Sequence, residues 1–472
     1  MSNKKDVRPF GTRDKVGYLL GDFGNDFTFI LSTIILTKFY TDVMGVSAAV
    51  VGSVMMLARF VDAFTDVAMG RIADRGRVTS NGKFKPWILR MCVPVAIASF
   101  LMYQSGFAEF PRIAKIIYLA VTYILWGSVF YTGINIPYGS MASAISQEAG
   151  DRQSLSTYRT MGGMLAGVVI GFLLPLLAYE KVTLADGTVK ETLIGYKVTL
   201  AAGAFSVLAI ISYVLCYKLI TERVALESKA SGRATSVAQM LKSAIKNRAL
   251  ISIIVASVVM LLAQLTMQNM AAYIFPDYYN NAAAQSASTL FMMVGMSVAA
   301  VLAKPLATKY GKAEISVASN LFAATVMILL WVLRPSDVWI YCVLQMFCWL
   351  GLGVFSMVSW ALITDVIDYS ELKNGIREDG AVYAMYSFAR KLGQALAAGV
   401  SGWLLTGIGY SSQAAASGRT QTPEVLEGIY NISTIIPAIG FASLAAVLWF
   451  WYPLRKKQVE ENIARLKEMH EK

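Results

Sequence analysis

Residues 55–70 read MMLARFVDAFTDVAMG, and two aspartates, Asp62 and Asp66, stand four residues apart within that apolar stretch. On a helix the i, i+4 spacing puts both carboxylates on one face. The stretch is apolar enough to cross a bilayer, where an ionised carboxylate costs about 3 kcal/mol or more. Two acids one turn apart also repel each other. The pair is therefore tolerable only against a wet cavity, a countercharge or a bound cation, and a cation site is the natural reading. Arg59, one turn earlier, offers a local ion pair.

The composition extends this reading to the whole chain. Of 472 residues, 56% are hydrophobic and only 15% charged, with a mean hydropathy of +0.53, too apolar for an ordinary soluble protein of this length. Cys92, Cys216, Cys342 and Cys348 lie in apolar segments without CxxC or Cys/His spacing, and the single histidine, His470, is in the tail. Neither a disulfide framework nor a thiolate or imidazole metal site is expected, and no cofactor. The basic start MSNKKDVRPFGTRDK leads into an apolar run too long and too studded with polar residues for a cleaved signal, so that run is read as the first span.

Counting apolar stretches of about 20 residues gives spans near 16–39, 46–70, 86–107, 114–143, 157–179, 195–220, 248–275, 284–308, 315–333, 338–364, 380–408 and 430–453. Twelve spans place both termini on one side. Arg71, Arg75, Arg77, Lys83 and Lys85 fill the second connection, Lys309 and Lys312 the eighth, and Arg455, Lys456 and Lys457 open the tail. Basic short loops mark the cytoplasmic side, so the +12 balance reports topology and gives no case for a nucleic-acid partner. The most hydrophilic interior stretch follows span six and divides the chain into a bundle at 1–220, a cytoplasmic middle loop at 221–247, a second bundle at 248–453 and a cytoplasmic tail at 454–472. RIADRGRVTSNGKFKPW after span 2 and KPLATKYGKAE after span 8 are similar basic turns at the same place in each half. Two similar six-helix halves define an all-α membrane protein with the major facilitator fold, its substrate site expected between the halves near mid-membrane.

The spans carry further polar residues. Asp22 and Asp26 repeat the four-residue spacing on span 1 with Asn25 beside them, span 4 has Tyr131, Thr132 and Asn135, span 5 has Arg159, and span 11 has Arg390 and Lys391. Mutual neutralisation of these charges is the structural alternative to a binding role. At Asp62 and Asp66, sodium would take both carboxylates plus neutral oxygens such as Thr132 or Thr65, whereas a proton needs only one acid. The residues leave that choice open. On the connections after spans 4 and 10, Glu148 and Arg152 face Asp365, Asp368, Glu371 and Arg377 as a candidate cytoplasmic gate; exposed pairs are worth about 0–1 kcal/mol each, so only a network would bias two states. Glycines in MGGMLAGVVIG on span 5 read as close helix approach.

The strings ARFVDAFTDVAMG, GKFKPWIL, YTGINIPYGS, STYR at 156–159, DYSELKNGIR at 368–377 and ARKLG at 389–393 resemble the glycoside–pentoside–hexuronide:cation symporter family of the major facilitator superfamily, from about residue 15 to 410. The resemblance implies sugar uptake driven by a sodium ion or proton, by alternating access, in a bacterial inner membrane and by a monomeric carrier. It implies a cation site at Asp62, Asp66 and Thr132, with Thr65 where some relatives have asparagine. It implies a sugar site at Asp26, Tyr131, Asn135, Arg159 and Lys391, with Asn25, Tyr386 and Arg390 as neighbours. Two departures bear on the sugar: neutral Asn135 stands where melibiose carriers have an acid, and Gly139 where they have a tryptophan. With Arg390 added beside Lys391, the expected substrate is an anionic sugar such as a hexuronide or sulfonated hexose; a neutral pentoside or oligosaccharide, or a non-transporting sensor on the same fold, is the alternative. No nucleophile and base constellation suggests an enzyme.

Overall fold

The structure is a computed structural model and describes residues 8–76, 78–79, 81–183, 187–224, 247–374 and 379–470. Among these residues run twelve long helices. They are α1 Thr12–Asp42, α2 Ala48–Arg75, α3 Lys85–Leu101, α4 Arg112–Ile145, α5 Ala149–Ala178 and α6 Gly195–Leu219, then α7 Arg248–Tyr278, α8 Ala282–Tyr310, α9 Lys312–Leu333, α10 Val338–Asn374, α11 Asp379–Gly407 and α12 Pro423–Trp451. Ten are long and apolar enough to cross a membrane. Of the other two, α3 has 17 residues, about 25 Å of helix, and α11 carries Arg390 and Lys391 in its middle. The apolar side chains that remain exposed, such as Phe64 at 79% and Val301 at 74%, are what a lipid-facing surface requires. Inside the bundle, Phe27, Leu31, Ile35 and Phe39 on α1 form a buried helical stripe.

The chain forms two compact units, Met1–Ala230 with Leu405–Gln421, and Ser231–Leu404 with Thr422–Lys472. This departs from the sequence-based division: the connection after α11 packs with the first bundle. Lys38 on α1, 1% exposed, lies 2.7 Å from Asp42. Tyr410 of that connection joins both, its hydroxyl donating to Asp42 Oδ1 at 2.7 Å and accepting from Lys38 Nζ at 3.1 Å. A buried ion pair needs such extra hydrogen bonds to offset its desolvation.

The start of the expected middle loop is likewise built into the first unit. The Glu222 carboxylate accepts three successive backbone N–H groups, from Lys83 at 2.6 Å, Phe84 at 2.9 Å and Lys85 at 2.5 Å, capping α3. Arg223 and Arg8 both pair with the fully buried Asp14, at 2.8 and 2.7 Å. Gly82, with φ +107°, turns the chain into this cap.

Other boundaries move too. The third span ends at Leu101 and a 3-10 turn, Ser105–Phe107, follows. The stretch at 180–194, expected as a loop, instead forms a hairpin of β1 Tyr179–Thr183 and β2 Val189–Leu193, antiparallel with Tyr179 opposite Leu193. Helix α10 continues ten residues beyond the expected 364 to Asn374. The tail contains the helix α13, Lys456–His470.

Candidate functional site

Two polar groups lie within the first unit. The first joins α2 to α4. Helix α4 contains a π-helical turn at Leu125–Tyr131, a widening by one residue that tends to mark functional positions. Ser128 on that turn donates to Asp62 Oδ1 at 2.5 Å, and Thr132 just after it donates to Asp66 Oδ1 at 2.8 Å. The other Asp62 oxygen, Oδ2, lies 3.3 Å from Arg59 Nη1. The Arg59 guanidinium is held over Phe29, Tyr123 and Trp126 at 5.0, 5.8 and 6.0 Å from their ring centres, a cation–π setting that favours a desolvated positive charge. Gly127 lies beside Asp62, where a Cβ would make ordinary contact with Oδ1 at 3.4 Å.

The structure thus brings together Asp62, Asp66 and Thr132, as the sequence suggested, and adds Ser128 and Arg59. Thr65 is different, because its hydroxyl donates to the main-chain oxygen of Asp62 at 3.1 Å, turned back onto its own helix. Among the described residues no three His, Cys, Asp or Glu side chains gather as a metal cluster. The donor set is two carboxylates with neutral hydroxyls, suited to a hard monovalent cation or a proton.

The second group joins α1, α4, α5 and α6. Arg159 Nε lies 3.0 Å from Asp22 Oδ1, and its Nη2 donates to Asn135 Oδ1 at 3.4 Å. Asn25 donates to the same Asn135 oxygen at 3.5 Å and accepts from the Tyr213 hydroxyl at 2.9 Å. The Arg159 guanidinium also sits over the Tyr138 ring at 5.2 Å, and a Cβ on Gly139 would lie 3.5 Å from its Nη1, so a tryptophan at that position would displace it. Tyr131 stacks on Phe29 at 5.7 Å.

Asp26 has no ion-pair partner among the described residues, and its carboxylate lies against Gly163 of α5. Gly162 and Gly163 let α1 and α5 approach: a Cβ at Gly162 would collide with the Leu19 carbonyl, and one at Gly163 with Asp26, coming within 3.1 Å of Asp22. The span 5 glycines therefore serve helix approach, as their pattern suggested. Asn25, Asp26, Tyr131, Asn135 and Arg159 come together here, and sequence reasoning missed Tyr213 of α6.

The remaining candidates lie in the second unit. Trp360 on α10 packs edge-on against Tyr386 of α11 at 4.9 Å, and Arg390 lies 5.9 Å from the Tyr386 ring. Tyr386 is fully buried while Trp360 is 45% exposed, so Trp360 is the aromatic surface and Tyr386 its support. Lys391 is exposed. Asn269 donates to Ser401 at 3.2 Å, joining α7 to α11. Among the gate candidates, Asp365 pairs with Lys312 of its own unit at 2.5 Å, Glu371 is buried, Asp368 lies half-buried on α10 and Arg152 is exposed on the first turn of α5, and Arg377 lies outside the described residues.

Twelve helices in two units, with carboxylates and basic residues inside the spans, define a multi-pass transporter with the major facilitator fold. The chain belongs to the MFS/sugar transport protein family, whose model matches residues 17–456. It is 29% identical over 455 residues to a glucuronide carrier protein homolog of Escherichia coli, covering 96% of this chain and 95% of that protein. It is 30% identical to a putative glycoside/cation symporter of the same organism, over 95% of this chain and 93% of the relative. A solved bacterial homolog of the human lysosomal transporter Spinster shares the fold, with a TM-score of 0.67, 11% identity, and 97% and 99% of the two chains covered. The protein is a transporter, not an enzyme, and a membrane sugar carrier by family.

Proposed function

We propose that this carrier is a cation-coupled sugar symporter that works by alternating access in a bacterial inner membrane, with both termini cytoplasmic. The observation that carries the reading is the doubled pairing of Asp62 with Ser128 and Asp66 with Thr132. Arg59 faces only one oxygen of Asp62, and a sodium ion or a proton would add a positive charge beside the two carboxylates. A bound cation would relieve the repulsion of the paired acids and set the neighbouring part of α4, where Tyr131 and Asn135 lie. Coupling is reciprocal, so sugar should raise cation affinity by the same factor.

The sugar would be held by Asp26, Asn25, Asn135 and Arg159, a carboxylate accepting from its hydroxyls and a guanidinium donating to them, with charge-assisted bonds giving direction. Tyr131 would cover the apolar face of the ring. We propose an anionic sugar, a hexuronide or sulfonated hexose, because the sequence has neutral Asn135 in place of an acid and adds Arg390 beside Lys391; the glucuronide carrier protein homolog among the relatives supports this. A neutral glycoside is the second reading, favoured by the engagement of Arg159 with Asp22.

The test is uptake into proteoliposomes of anionic and neutral glycosides, with and without sodium, at two pH values. Wild type is expected to accumulate an anionic sugar against its gradient, and Asp66→Ala to lose accumulation while retaining sugar exchange. Accumulation that depends on neither sodium nor pH, or that survives in Asp66→Ala, would overturn the symporter reading. Preference for neutral sugars would select the second reading.

A further inference from the structure

We infer that Ser128 is an oxygen ligand of the coupling cation, and that its hydroxyl, with that of Thr132, fits this group to sodium rather than to a proton. The inference rests on the cation-coupled reading above.

Ser128 is 3% exposed, in the interior of the membrane domain, on the π-helical turn of α4. Its oxygen and that of Thr132 form two rungs to α2, each joining residues 66 apart in the chain. The rungs run in the same sense along both helices and lie one turn apart, about 6 Å along the axis. A cation placed midway is about 3 Å from each rung along that axis, so small side-chain rotations bring two carboxylate and two hydroxyl oxygens onto it.

The chemistry of those four oxygens separates the two ions. A proton forms a covalent bond to one oxygen, and the single O–H so made has use for one further acceptor, not a surrounding set. A hard metal cation gathers carboxylate, hydroxyl and carbonyl oxygens together. A hydroxyl that donates its single hydrogen to a carboxylate keeps lone pairs for a cation, so the rungs need not break when the ion enters. The Gly127 carbonyl, 3.1 Å from the Thr132 oxygen, is a further oxygen at the same level. Arg59 occupies Oδ2 of Asp62, which turns Oδ1 toward Ser128.

The experiment is calorimetric titration of sodium chloride into the purified full-length carrier at fixed pH, with choline chloride as control and thermal unfolding to confirm that each variant is folded. Wild type is expected to bind sodium saturably, and Ser128→Ala about tenfold more weakly or worse, the loss of roughly one ligand contact. Ser128→Thr, which keeps the hydroxyl, is expected to recover affinity to within about threefold of wild type. A Ser128→Ala variant that binds sodium as well as wild type, while Asp66→Ala binds none, would overturn the role of Ser128 and leave the cation site standing. Equal weakness of Ser128→Ala and Ser128→Thr would assign the effect to packing and overturn it as well. Undiminished binding in Asp66→Ala would instead overturn the cation-site reading, and no sodium binding by wild type would overturn the sodium assignment.

Discussion

Adjacent glycines on α5 are expected to fail in opposite ways when changed to alanine. At Gly162 the new Cβ would strike the Leu19 carbonyl and come within 3.2 Å of the Phe23 nitrogen, both backbone atoms of α1. Backbone cannot swing aside, so the helices must separate, an overpacking cost of about 1–3 kcal/mol. Alanine returns about 1 kcal/mol through its better helix propensity, and the net is a loss of up to about 2 kcal/mol. At Gly163 the atom struck is the Asp26 carboxylate, the free end of a side chain, with Asp22 Oδ2 3.1 Å away. That carboxylate can rotate, so Gly163→Ala keeps most of the stability. It loses the placement of Asp26, and a hydrogen bond to a charged group is worth about 1.5–3 kcal/mol, or roughly 10-fold to 100-fold in sugar affinity. Thermal unfolding of the purified carrier by tryptophan fluorescence, paired with equilibrium sugar binding, separates the two effects. Gly163→Ala that binds sugar like wild type, or that melts as early as Gly162→Ala, would refute the assignment of Asp26 to the sugar.

Two further outcomes follow from polar groups at the ends of the first bundle. Glu222→Ala removes the acceptor for three backbone N–H groups, and at about 2 kcal/mol for such a loss the connection before α3 should be cut at Lys83 by trypsin roughly 30-fold faster; an unchanged rate would mean that the loop is held by other contacts. Tyr410→Phe takes the shared hydroxyl from the buried Lys38–Asp42 pair and should lower unfolding stability by about 1–3 kcal/mol, with unchanged melting counting against a structural role for the connection after α11.

Much of the architecture was legible because membrane spans announce themselves by length and apolarity, and because Asp62 and Asp66 have no cheap place in lipid. Thr132 was legible beside Thr65 as a neutral oxygen near the acids and was singled out by the family resemblance, and spacing held a signal for its companion: Ser128 precedes Thr132 by the same four residues that separate the aspartates. That match was overlooked because serines in membrane helices usually bond their own backbone, as Thr65 does. Tyr386 entered as a neighbour of the sugar site through the family resemblance, and only packing shows Trp360 edge-on against it. The partners of Glu222 and Tyr410 are more than a hundred residues away in sequence, and no local pattern encodes such contacts. The hairpin at Tyr179–Leu193 was hidden for a different reason: its short strands have mixed charge, and cross-strand pairing, not apolar alternation, defines them.

The Arg59–Asp62 pair has an electrical consequence. The guanidinium is built into the protein and travels with Asp62, so that pair adds no charge of its own to the part that moves. A bound monovalent cation adds one positive charge, worth about 2.3 kcal/mol per 100 mV for a full crossing, and a singly charged anionic sugar beside it takes that charge away again. With one of each aboard, the loaded and the empty carrier bear the same charge, so an interior-negative potential gives no net drive to the cycle, which runs on the two concentration gradients.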